Sequence, residues 1–370
     1  MEAPPQPLPP RVRLIVLFGG RSAEHQVSCT SAASVLRALD PARYDVSPFG
    51  ISAEGRWVDS CQAWAAVAGG PGAVPAALEA VGPDIDVWQA VAPPAGAGDV
   101  PTVVLPLVHG PLGEDGTVQS LLELAGAAYV GAGVLGSALC MDKAMAKEVL
   151  AHHGLPQALH LARRDVDVGD DLADQVEAEL GWPVFVKPAN LGSSVGISRV
   201  DRPDRLAGAV ALALGYDEWV VVEEAVTGRE IECGVLGNVE LEASVPGEIV
   251  PRGQFYDYDD KYADGGADLV VPAALPDAVA GEVRRLALAA ARALRAEGMA
   301  RVDFFYEEGG RGLLINEVNT IPGFTPRSMY PRLWAASGVP YPELIDRLVG
   351  LALARHTHRA AKLERPHPRP

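Results

Sequence analysis

Ala300-Arg301-Val302-Asp303-Phe304-Phe305-Tyr306 and Leu313-Leu314-Ile315-Asn316-Glu317-Val318-Asn319 decide the reading of this chain. Both are apolar, strand-like runs broken by polar side chains. Alternate residues of a strand point to one face, so Glu317 and Asn319 project together. A hairpin across residues 307–312 brings Asp303 beside them. Three hard oxygen donors then gather at the end of a buried sheet. Such a set suits Mg²⁺, which takes one or two carboxylates plus substrate phosphates. The plain alternative is a solvated strand edge. The apolar flanks argue against it, because carboxylates are seldom buried without a partner.

The lysines carry the second argument. Among 31 Lys plus Arg, the lysines are Lys143, Lys147, Lys187, Lys261 and Lys362. Elsewhere the chain uses arginine for positive charge. Three lysines fall in motif-like segments: Met-Asp-Lys143, Phe-Val-Lys187-Pro and Tyr-Asp-Tyr-Asp-Asp-Lys261-Tyr. An ammonium is a compact point charge for phosphate, whereas arginine is a planar fork. Lys143 and Lys187 are therefore read as phosphate ligands, against compositional accident.

The 370 residues allow two or three domains with real cores. Hydrophobic residues make up 48% and charged residues 21%, an ordinary globular balance. The formal charge of −17 argues against a nucleic-acid surface and leaves a local nucleotide site open. Cys29, Cys61, Cys140 and Cys233 show no C-x-x-C spacing and read as reduced core residues of a cytoplasmic protein. No apolar run approaches a membrane span. The start is a proline-rich tail without a signal-peptide pattern, and residues 359–370 read as frayed.

A buried strand over residues 12–18 ends in Gly19-Gly20, and a helical pattern follows over 28–39. Strand, glycine turn and helix open a doubly wound α/β unit. Further strands fit 45–51 and 103–107, and a helix fits 117–125. Residues 66–98 read as variable surface structure, and the first unit closes near Gly136. A second unit has a helix over 142–153 and strands over 183–187, 196–200 and 220–223. A third unit starts near Arg229. It holds a long polar loop over 246–266 and a helix over 277–297 with a stop at Gly298.

Gly192-Ser193-Ser194-Val195-Gly196 joins two strands, either as a plain connection or, with Lys187 close upstream, as a lid over phosphates. It lacks the Gly-Lys-Ser/Thr of a Walker A loop. Glu223-Glu224-Ala225-Val226 and Glu230 end a strand in carboxylates. The backbone at Glu224 and Val226 suits an adenine edge, and Glu223 or Glu230 suits ribose hydroxyls; an ordinary charged turn is the alternative. Glu24, at a strand–helix junction, suits an amine. Neighbouring His25 reads as structural.

Taken together these segments resemble the ATP-grasp superfamily and, within it, the D-alanine–D-alanine ligases. The resemblance covers about residues 12–350. It rests on Phe-Gly-Gly-Arg-Ser-Ala-Glu24, His109-Gly-Pro-Leu-Gly-Glu-Asp-Gly, Met-Asp-Lys143, Val-Lys187-Pro with Gly-Ser193-Ser194-Val-Gly, Asp-Tyr-Asp-Asp-Lys261-Tyr262 and Asn-Glu317-Val-Asn319-Thr-Ile-Pro-Gly323. It implies a three-domain ATP-grasp α/β fold: an N-terminal doubly wound parallel-sheet domain (11–136) and two α+β domains (137–228 and 229–360) sandwiching ATP, with a mobile loop over 246–262. It implies ATP-dependent joining of two D-alanine molecules through an acyl phosphate, for peptidoglycan precursors. Lys143, Lys187, Ser194 and Lys261 would serve the phosphates, and Glu223, Glu224, Val226 and Glu230 the adenosine. Asp303, Glu317 and Asn319 would hold two Mg²⁺, or Mn²⁺. Glu24 would take the first ammonium, with Ser193 and Tyr262 completing that pocket, and His109 would meet the first carboxylate. Arg301 and the Gly323 N–H would stabilise the tetrahedral intermediate. Ser328 and Met329 would grip the second carboxylate. A cytoplasmic homodimer without nucleic-acid or membrane partners is also implied. His25 and Pro326-Arg327 depart from the family pattern and bear on acceptor preference. D-lactate or D-serine as acceptor, and a nucleotide-binding regulator without turnover, are the alternatives.

Overall fold

The structure is a computed structural model that describes residues 8–61, 74–93, 100–192, 195–251 and 267–363. Val12–Gly19 is buried along almost its whole length, the pattern of a strand covered on both faces. It is central in a five-stranded sheet ordered 57–59, 44–51, 12–19, 102–106, 128–129. Every pair is parallel except Trp57–Asp59 with Tyr44–Ile51. Val12, Leu14, Val16 and Phe18 pack with Ala32, Ala33 and Val35 of the helix His25–Ala38. Ile15 and Leu17 point the other way, into a cluster with Val118 and Leu122 of the helix Thr117–Leu124. The two-residue period thus gives each face its own helical cover, as the doubly wound reading requires.

The second sheet has four antiparallel strands ordered 160–164, 219–224, 184–188, 198–200. The third is antiparallel, with its main path ordered 268–270, 247–250, 229–237, 298–307, 312–319. Asp277–Ala293 lays Val283, Leu286, Ala287 and Ala290 onto that sheet. The last helix, Tyr341–Leu363, returns to the first sheet. Its Leu344, Ile345, Leu348 and Val349 join the core of Val12 and Leu14. Arg43 and Tyr44 both bond the Asp346 carboxylate, and Arg355 donates to the carbonyls of Tyr129 and Gly131.

Several sequence expectations are corrected. The helix from Asp277 stops at Ala293, not near 297. Arg295 takes the left-handed conformation, φ 55°, and Ala296 N–H bonds Ala291 O while Arg295 N–H bonds Arg292 O. That paired capping pattern is usually built on glycine. Here Gly298 instead opens the next strand. The stretch read as surface structure contributes buried Val74, Leu78, Ala90 and Val91. Gly247–Val250, expected as loop, is a strand paired with residues 230–232 and 268–270.

Gly19 ends the first strand at φ +88°, and a Cβ there would lie 2.2 Å from Ile51 O. Gly20 N–H needs that same carbonyl, at 2.7 Å. Gly19→Ala is therefore expected to cost about 2 kcal/mol or more, from a strained backbone and a blocked approach. A denaturant midpoint equal to that of the native chain would refute this.

Candidate functional site

The hairpin expected across residues 307–312 forms, with Glu307 opposite Gly312. Asp303 pairs with Glu317 and Arg301 with Asn319, so these four side chains share one face. Glu232 lies opposite Asp303 on the neighbouring strand. Arg301 forms a bidentate pair with Asp303, both contacts 2.7 Å, and its Nε lies 3.0 Å from Glu232. Asn319 Nδ2 donates to Asp303 Oδ2 at 2.9 Å. Burial works against the Arg301 charge, yet Asp303 and Glu232 carry its pKa well above the ordinary value. Two carboxylates and an amide on one face of the paired strands form a donor set suited to a hard divalent cation. Among the described residues, no cluster of three His, Cys, Asp or Glu side chains offers another such set.

A cavity of about 480 Å³ opens beside this face. It collects Glu24, His109, Lys143, Arg301, Glu317, Asn319, Gly323, Ser328 and Met329 from segments far apart in sequence. Glu24 precedes the helix His25–Ala38, and its Oε2 approaches Gly110 and Gly192. His25 turns away and bonds Gly20 O through Nδ1 at 2.8 Å, the structural role expected of it. His109 is buried. Its Nδ1 donates to Ile321 O at 2.9 Å, and its Nε2 has no hydrogen-bond partner among the described residues. Burial lowers the His109 pKa and keeps the ring neutral. Ser328 opens the helix Met329–Ala336, and its Oγ bonds Thr325.

Lys143 begins the helix Lys143–His152, capped by the Asp142 side chain on Met145 N–H at 2.9 Å. Its Nζ donates to Leu191 O at 2.6 Å, just before the Gly192 turn. Lys187 Nζ bonds Glu223 Oε2 at 2.9 Å, and Lys147 Nζ lies 3.4 Å from Glu223 Oε1. Burial would raise the Glu223 pKa, but Lys147 and Lys187 draw it down to about 2. The Glu224 carboxylate is engaged by Leu159 N–H at 2.7 Å and by Arg311 at 2.5 Å. Its N–H bonds Leu159 O.

The cavity thus gathers the residues expected to meet the amino acids. Lys187, Glu223, Glu224, Val226 and Glu230 lie apart from its lining, on or beside strands 184–188, 219–224 and 229–237. Asp303 is turned to Arg301 and does not line it either. Ser193, Ser194, Lys261 and Tyr262 lie outside the described residues. The sequence reading assigned nothing to Lys147, Glu114 or Glu232. Lys147 carried a signal in the scarcity of lysine, and Glu114 one in its place within His-Gly-Pro-Leu-Gly-Glu. Glu114 accepts Gly110 N–H at 2.7 Å. Burial, with the Glu24 carboxylate close by, pushes its pKa up to about 8.

Two family models match the chain: D-ala D-ala ligase N-terminus over residues 13–132 and D-ala D-ala ligase C-terminus over residues 149–350. A D-alanine–D-alanine ligase of Kineococcus radiotolerans is 50% identical over 371 residues, covering 94% of this chain and 98% of that protein. One of Geobacillus kaustophilus is 46% identical over 363 residues, covering 94% and 96%. The solved D-alanine–D-alanine ligase of Coxiella burnetii superposes with a TM-score of 0.81 at 35% identity, covering 96% of this chain and 97% of the other. The VanG D-Ala:D-Ser ligase of Enterococcus faecalis gives 0.78 at 32% identity, covering 92% and 99%. The three sheets are accordingly those of an ATP-grasp fold.

Glu114 makes a pH prediction. Its folded-state pKa is raised from 4.5 to about 8. Above pH 4.5 the unfolded chain loses this proton while the folded chain keeps it, so the group subtracts stability as pH rises towards 8. Glu114→Gln mimics the protonated acid and keeps the acceptor for Gly110. Its melting temperature is expected to match the native chain near pH 5 and exceed it at pH 8–9. A difference independent of pH would rule out the protonated carboxyl.

Proposed function

The chain belongs to the D-alanine–D-alanine ligase family, and we propose that it joins two D-alanine molecules while cleaving ATP to ADP and phosphate. The observation that carries this reading is one cavity lined by an ammonium partner, Glu24, a carboxylate partner, His109, and by Arg301, Glu317 and Asn319 of the hairpin face. The ammonium of the first D-alanine rests on Glu24. Its carboxylate meets Nε2 of His109. Because Nδ1 already donates to Ile321 O, a neutral ring leaves Nε2 an acceptor. An arriving carboxylate draws a proton onto it, offsetting the burial that otherwise keeps the ring neutral.

A carboxylate oxygen of this D-alanine attacks the γ-phosphorus, the bond to the bridging oxygen breaks, and ADP leaves an acyl phosphate. The amine of the second D-alanine attacks the acyl carbon, loses a proton and expels phosphate. Arg301 and the Gly323 N–H face the oxygen that gains charge in that second step. The first turn of Met329–Ala336, with Ser328, receives the second carboxylate, as a helix N-terminus does. Lys143, Lys187 and Ser194 hold phosphates; Glu223, Glu224, Val226 and Glu230 hold adenosine. Asp303, Glu317 and Asn319 would hold two Mg²⁺, or Mn²⁺, which neutralise phosphate charge when bound. For that, Asp303 has to share its oxygens with Arg301. Ser193, Lys261 and Tyr262 keep the roles read for them from the sequence.

The biological setting we read is peptidoglycan precursor synthesis by a cytoplasmic homodimer with domains over 11–136, 137–228 and 229–360. Among the described residues, no helix is long and apolar enough to cross a membrane. D-alanine is the favoured acceptor, since relatives at 46% and 50% identity carry the D-alanine–D-alanine name while the D-Ala:D-Ser ligase stands at 32%.

Phosphate release with ATP and Mg²⁺ is expected to require D-alanine, with D-alanyl-D-alanine as the main product by mass when D-serine and D-lactate compete. Equal turnover with L-alanine, or none with any amino acid, would sink the ligase reading.

Glu317→Gln keeps the shape of the hairpin and removes one anionic donor. Turnover is expected to fall about 10²-fold or more while the melting temperature changes little. Near-native turnover at ordinary Mg²⁺ would remove Glu317 from the metal set.

A further inference from the structure

Lys147 is a buried charge that the reaction above does not use. It stands one helical turn after Lys143, on the same helix, with only 2% of its side chain exposed. Its backbone carbonyl is fixed by Gln157 Nε2 at 2.8 Å, and its neighbours Ala146 and Leu150 are anchored in a hydrophobic core. Nζ lies 3.4 Å from Glu223 Oε1 and, among the described residues, makes no well-aligned hydrogen bond. Two ammonium groups therefore face one carboxylate, and the group carries an excess positive charge where burial makes charge costly. The two lysines are not equivalent. Lys187 is the more open, at 11% exposure, near the end of the strand Val184–Pro188. Lys147 is the more deeply buried of the two, at 2% exposure.

We propose that Lys147 is a positioning residue for the nucleotide: it is the standing counter-ion of Glu223, and so lets Lys187 leave that carboxylate for a nucleotide phosphate. The inference rests on the nucleotide reading of Lys187 and Glu223. Without Lys147, every departure of Lys187 would strand a carboxylate that is 3% exposed. Phosphate would then compete against a buried ion pair. With Lys147 in place, Glu223 stays ionised and paired in both states. Burial also lowers the Lys147 pKa, with Glu223 opposing it; His160, opposite Glu223 in the strand pairing, starts from a far lower ordinary value and is lowered further by burial and by Lys147, so it does not replace the lysine.

The test separates phosphate recognition from folding. Lys147→Met removes the charge and keeps an unbranched stem. It is expected to raise the ATP KM about tenfold, leave the D-alanine KM unchanged, and leave the inhibition constant of adenosine, which has no phosphate, within about twofold. Lys147→Arg is expected to recover most of the ATP affinity. In a Glu223→Gln background nothing holds Lys187 back, so adding Lys147→Met should change the ATP KM less than about twofold; this pair also serves if Lys147→Met alone does not fold. An unchanged ATP KM in Lys147→Met, an equal rise in both backgrounds, or a parallel loss for adenosine overturns the inference. Lys187→Met with an unchanged ATP KM would instead overturn the nucleotide reading itself.

Discussion

The position of Asn316 governs the site. Phe304 pairs with Ile315, but Asp303 pairs with Glu317, so Asn316 has no partner across the strand. Had the register continued unbroken, Asp303 would face Asn316, and Glu317 would fall opposite Val302 on the core side. The bulge instead sets Val318 opposite Val302, both buried, and turns Glu317 and Asn319 to the face of Arg301 and Asp303. A one-residue slip reverses every side chain beyond it. The same slip sets the register of the residues leading to Ile321, whose carbonyl His109 then takes from the first sheet. One extra residue therefore aligns the metal-binding face with the amino-acid pocket.

Much of this was legible in the sequence, because it depends on local periodicity. The apolar, strand-like runs at 300–306 and 313–319 announced a hairpin, and the β-branched run ending at Gly19 announced a doubly wound unit, while the bulge at Asn316 was not announced. The failures are of another kind. Arg295 occupies a left-handed cap where glycine is the usual signal, so the helix end was placed too late. Residues 74–91 lack periodicity but still fill the core, since Val74 and Leu78 answer to a tertiary space and not to a repeat. Lys147, Glu114 and Glu232 became interpretable only once distant strands had put their partners in reach.

Lys147 and Glu232 belong to the same kind of arrangement. Arg301 is shared by Asp303 and Glu232, while Glu223 is shared by Lys147 and Lys187. Each group leaves one charge in excess, negative at the hairpin and positive on the central sheet. A closed pair would be satisfied without a ligand. An odd number leaves a charge to be met from outside, and the signs match a divalent cation at one place and a phosphate chain at the other.

Beside these ionised groups, two titratable side chains of the amino-acid pocket are held neutral by burial. His109 loses its proton to burial, and Glu114 retains one for the same reason with Glu24 nearby. This division has a chemical use. A zwitterion entering such a pocket supplies both charges itself, the ammonium to Glu24 and the carboxylate to His109, and its arrival moves the protons that burial had fixed. With the imidazole neutral at rest, the proton it gains is recruited by the substrate, and the charge needed for phosphoryl transfer stays on the two sheets that flank the cavity.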